Sequence, residues 1–77
     1  MQLPTAIMFY DKNDESGDEL YRQYGYVIPV VGSIVLIRRE GKRTDWRVVE
    51  VQYYYEVSEV RNIEKQSQVY VLMEAIK

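Results

Sequence analysis

Neither cysteine nor histidine occurs anywhere in the chain. Without cysteine there is no disulfide, no thiolate nucleophile and no zinc–thiolate site. Without histidine there is no imidazole base and no imidazole metal ligand. Proline is scarce, with two residues, and glycine little commoner, with four; neither supports a low-complexity or collagen-like reading. No run of 18 apolar residues is present, so no membrane-spanning helix and no membrane partner are expected. Residues 1–10 have neither a basic segment nor a long apolar one, so no secretory signal is expected. The absence of cysteine fits a cytoplasmic location. A strong charge of one sign is missing too. Ten Lys and Arg face twelve Asp and Glu, a net charge of −2, and the isoelectric point is near 5.0. That balance lacks the basic excess of a generic nucleic-acid binder.

What remains is a short, folded, tyrosine-rich chain. Its 77 residues make one domain, 1–77, because a second core would not fit. A compact protein of 9.2 kDa exposes roughly 4,900 Å², against roughly 13,300 Å² unfolded. Apolar residues are 47% and charged ones 29%, which is enough for a modest core. With neither disulfide nor Cys or His metal site, stability is expected to come from packing or from a partner chain.

Residues 3–10 (LPTAIMFY) are strand formers, with Pro4 at the start where its missing N–H costs little. Residues 11–19 (DKNDESGDE) carry five acids and one Lys. Ser16-Gly17-Asp18-Glu19 matches a capping box, Leu20, Tyr21 and Tyr24 make an apolar stripe, and Gly25 suits a left-handed terminator. These features predict a short helix over 17–24, docked on the sheet because two turns do not persist alone. Residues 26–32 read as extended, since Pro29 disfavours helix before it. Residues 33–39 (SIVLIRR) are apolar on both faces, one for the core and one for the helix or a partner. A hairpin turn follows at Glu40-Gly41-Lys42-Arg43.

The longest strand spans 44–58. Trp46 and Val48 share one parity, while Val49, Val51, Tyr53, Tyr55 and Val57 share the other. A bulge or bend between Val48 and Val49 would bring both sets inside. Residues 59–66 are charged and predict a turn. Residues 67–76 form the last strand, with Val69, Val71, Met73 and Ala75 on one face and Tyr70, Leu72 and Ile76 on the other. The expected fold is mainly β (α+β): a curved antiparallel sheet of four or five strands, or a partly open barrel. Sequential antiparallel pairing is the simplest topology, with the first strand closing on the last.

Pro29-x-x-Gly32-x-x-Val35 followed by Trp46-x-Val48-x-x-Val51-x-Tyr53 resembles the small SH3-like β-barrel proteins of unknown function found in bacteria, phages and mobile gene cassettes. The resemblance covers residues 29–57. It implies a small barrel and carries over no catalytic residue.

Four constellations bear on chemistry. Asp11, Asn13 and Glu15 stand at the first, third and fifth positions of a calcium loop, but the sixth and twelfth are Ser16 and Arg22, where Gly and Glu belong. A solvated loop is the plainer reading, and no metal or cofactor is implied. Arg38, Arg39, Lys42, Arg43 and Arg47, opposed by Glu40 and Asp45, give the hairpin a local charge of +3. Such a hairpin beside Tyr53-Tyr54-Tyr55 has the makings of a phosphate-backbone site, though basic residues also keep sheet edges soluble. Eight tyrosines are many for this length. Tyr53 and Tyr55 are expected in the core. Tyr54, Tyr70 and Leu72 are expected on an outer face as a protein interface, with Tyr54 and Tyr70 as a cross-strand aromatic pair. Finally, Asp, Glu, Lys and Tyr are the only acid–base groups. A small sheet offers little room for the cleft that carboxylate catalysis needs, so an enzyme is not expected.

These readings favour a non-catalytic protein-binding or assembly module that self-associates as a homodimer. The alternative is a small nucleic-acid-binding barrel using the basic hairpin and surface tyrosines.

Overall fold

The computed structural model describes residues 5–55, 57–58, 63–64 and 68–77. Among them seven strands follow in order: β1 (Thr5–Asp11), β2 (Glu19–Gly25), β3 (Ile34–Arg39), β4 (Lys42–Tyr54), β5 (Val57–Ser58), β6 (Ile63–Glu64) and β7 (Gln68–Ala75). Five of them build one sheet in the order β2-β1-β7-β4-β3, and β5 with β6 makes a separate two-stranded ladder. The five-stranded sheet is mixed and curls into a half-barrel.

Burial explains the order. Ala6, Ile7, Met8 and Phe9 are all buried, so β1 is covered on both faces and takes an interior position. It pairs with β7 in parallel, Ile7 beside Val69 and Phe9 beside Val71, and with β2 antiparallel. The first and last strands therefore do pair, but in parallel and inside the sheet rather than as the closing seam. Purely sequential antiparallel pairing is corrected likewise: β2 and β3, neighbours in the chain, stand at opposite edges. The turn expected over 59–66 lies, apart from Ile63–Glu64, outside the described residues, as does Pro4.

The core lies on the inner, concave face. Ile7, Phe9, Trp46, Val48, Val69, Val71 and Met73 form one cluster, with Leu20, Ile28, Val35, Ile37 and Val51 packed against it. Each such side chain contributes on the order of 1.5–3 kcal/mol of burial free energy. β4 changes register against β7 between Val48 and Glu50, which leaves Val49 as the extra residue of a bulge. This is where the apolar parity switches, so Val48 and Val51 both turn inward. Tyr53 and Tyr55 do not reach the core. They stack on each other, ring centroids 6.5 Å apart, and stay exposed, although Tyr53 stands beside the buried Val69.

The helix expected over 17–24 is replaced by β2, and the reason lies in local hydrogen bonding. Asp11 Oδ1 accepts the N–H of Asn13, Asp14 Oδ1 accepts that of Ser16, and Ser16 Oγ accepts that of Asp18. Each link reaches two residues ahead, so Ser16 closes a turn instead of capping a helix. Gly17, not Gly25, takes the left-handed conformation, at φ +76°. The chain that follows satisfies its backbone against β1, in a ladder running from Glu19 beside Tyr10 to Gly25 beside Thr5. A seven-residue stretch gains more from such a ladder than from an isolated helix with a costly nucleus.

Candidate functional site

Cross-strand partners share a face, so the register sorts the remaining side chains. The outer face carries Tyr10, Tyr70 and Leu72 on the central strands, with Leu72 beside Tyr10 and beside Glu50. The Tyr10 and Tyr70 rings lie 6.0 Å apart. Tyr70 donates to Gln68 Oε1 at 2.7 Å, and the Tyr10 hydroxyl donates to Met8 Sδ at 3.8 Å. Burial, and secondarily the charges of Glu19 and Tyr70, raise the Tyr10 phenol above its ordinary value. Tyr54 shares this face but lies beside Gln68 at the end of β4. Tyr70 thus packs at a tilt against Tyr10 instead of pairing with Tyr54. Tyr70 and Leu72 are half-buried, while Tyr54 is exposed.

The five basic residues are divided between faces. Arg38 stands beside Arg43, and Arg47 beside Ile34 and Glu74, on the outer face. Arg39 and Lys42 are paired on the other face. Arg43 is held by Asp45, its Nε 3.0 Å from Oδ1, and the Arg39 guanidinium donates to the Leu20 carbonyl. Tyr53-Tyr54-Tyr55 lies at the far end of β4 from the hairpin, about 36 Å along the strand from Lys42 to Tyr53 at a rise of ~3.3 Å per residue.

The missing helix leaves a surface open. β2 and β3 are the two edges of the curled sheet. At one end Arg39 of β3 bridges to Leu20 of β2. Beside this bridge lies a groove of about 420 Å³. It is lined by Phe9, Tyr21 and Gln23 of β1 and β2, by residues 34–38 of β3, and by Pro29. The Phe9 and Tyr21 rings are 5.7 Å apart. On β3, Val35 and Ile37 pack against the core, but Ile34 and Leu36 are 50% and 56% exposed. Val27, Val30 and Val31 in the preceding segment are exposed as well. The sequence signal for this site was the apolar run of residues 33–39. The expected cover for its second face was a partner or the helix, and β2 stands in place of the helix.

At the bridged end a smaller pocket of about 90 Å³ is lined by Leu20, Ile37, Thr44 and Trp46 among others. Trp46 Nε1 is buried without a hydrogen-bond partner. Among the described residues no three His, Cys, Asp or Glu side chains are grouped as a metal site would need, and no helix is long and apolar enough to cross a membrane.

Compared with protein-family models, curated proteins and solved structures, the chain matches none.

Proposed function

We propose that the chain is a non-catalytic protein-binding or assembly module that associates with itself. One observation carries this reading: β3 is an edge of the sheet, and Ile34 and Leu36 on it stay exposed. Exposed apolar side chains on β3 and in residues 27–31 add to the argument, because large contiguous apolar surface is rare on monomers. The outer face with Tyr54, Tyr70 and Leu72 is the proposed contact for a further protein, since tyrosine buries area while its hydroxyl finds a polar partner.

A second reading, a small nucleic-acid-binding barrel, rests on Arg38, Lys42 and Arg47, which the described structure leaves without an ion pair. The distance between these cations and the tyrosine run counts against it, because stacking and phosphate contacts would have to be made by different parts of one strand. Sedimentation at micromolar concentration combined with heparin chromatography separates the two. A concentration-dependent mass without heparin retention is expected. A 9 kDa species at every concentration removes self-association, and retention that collapses with salt favours nucleic acid.

A further inference from the structure

We infer that the second copy docks along the free edge of β3, so that two β3 strands pair antiparallel about a two-fold axis beside Leu36 and join the two sheets. This rests on the self-association proposed above and names the surface that performs it.

A free strand edge carries unpaired backbone groups, and another strand is what satisfies them. In an antiparallel ladder, alternate residues turn their N–H and C=O groups toward the partner strand. The Ser33 carbonyl accepts from Val48 N–H at 2.9 Å, which continues the β3–β4 ladder and sets the alternation. Ile34, Leu36 and Arg38 then direct their backbone groups away from β4, and among the described residues β4 is the one strand beside β3. Natural edges are blunted by charges, proline or a bulge. β2, the opposite edge, carries Glu19, Arg22 and Gln23. β3 offers Ile-Val-Leu-Ile before its first charge at Arg38.

The strand is also complementary to itself. With Leu36 opposite Leu36 of the second copy, Val35 meets Ile37 and Ile34 meets Arg38. The joint is apolar on both faces, and the arginines of the two copies are held at opposite ends. A parallel arrangement would align Arg38 with Arg38 and Arg39 with Arg39, which repel. The groove beside β3 gives the incoming strand room, and exposed Ile34 and Leu36 lose their solvent-facing surface. Edge pairing leaves the outer face of Tyr54, Tyr70 and Leu72 free, so the inferred joint and that partner surface are separate.

The test compares the parent with Leu36→Pro and Leu36→Lys. Proline deletes a free-edge N–H and is tolerated on edge strands; lysine keeps the N–H and adds an edge charge. Both should keep the parent's circular dichroism and weaken dimerisation at least tenfold by sedimentation equilibrium. Hydrogen exchange on the parent gives a readout that needs no variant: the amides of Ile34, Leu36 and Arg38 should become protected as concentration rises. A parent that stays at 9 kDa overturns self-association itself. A parent dimer that survives both substitutions, with those amides unprotected, overturns the β3 joint and leaves self-association standing. In that case Leu72→Lys should break the dimer.

Discussion

At the scale of single residues, Tyr10 is where environment changes chemistry most clearly. Its phenol lies on the outer face against the Tyr70 ring, and burial, then Glu19 and Tyr70, hold the proton on, with Arg22 opposing them. The folded-state pKa is therefore above the ordinary 10.0. Below pH 10 the phenol is neutral in both states, and its contribution is fully present. As pH rises past 10 and through the folded value, the unfolded chain ionises first and that contribution is lost. Urea unfolding across pH 8–11 should show stability falling above about pH 10, with a shallower fall in Tyr10→Phe. Equal alkaline slopes in parent and variant would remove Tyr10 as the cause. Asp14 shows the opposite sign: the Ser16 N–H, donating at 3.0 Å, holds its carboxyl below the ordinary range.

At the scale of elements, the hairpin between β3 and β4 stores strain that can be relieved. Its two-residue loop is Glu40-Gly41, with φ of +54° and +81°. Two positive φ values in a two-residue loop define the type I′ turn, whose twist matches that of its strands and which prefers Asn-Gly. Gly41 meets the requirement without cost, whereas a left-handed Glu costs on the order of 1 kcal/mol. Glu40→Asn should raise stability by about 0.5–1 kcal/mol, read as a higher urea midpoint at unchanged slope. A lower midpoint would mean that the Glu40 side chain contributes something the turn geometry does not require. Elements like this were legible in the sequence because the signal was local: Gly41 in the turn, the alternation of Val69, Val71 and Met73, and the parity switch at Val48. β2 was not, because Ser16 and Glu19 suit a capping box or a turn equally well, and the choice is made by β1, a partner the local pattern cannot display. The same limit hid the parallel β1–β7 pair. Four consecutive buried residues in β1 announce an interior strand without saying which strand lies beside it. The candidate site was half legible. The run Ile34–Ile37 was visible as apolar on both faces, but its exposure follows from the absence of the helix.

At the scale of the whole molecule, a half-barrel with no disulfide, a small core and an open edge at β3 should depend on association for its stability. A partner that binds only the folded state stabilises it by mass action, by about 2.7 kcal/mol when its concentration stands a hundredfold above the dissociation constant. For a domain of this length each kcal/mol moves the midpoint by roughly 4–8 °C. Raising the protein from a concentration near its dimer dissociation constant to one a hundredfold higher should therefore lift the melting temperature on the order of 10 °C. Leu36→Pro supplies the control, because it is built to keep the fold and lose the joint. Its melting temperature should not vary with concentration, and it should approach that of the parent at high dilution. A parent whose melting temperature is equally flat would show that the half-barrel is stable alone, and that the open edge of β3 contributes nothing to the free energy of folding. A concentration dependence kept by Leu36→Pro would instead move the stabilising contact to another face, with the surface of Tyr70 and Leu72 the next to be substituted.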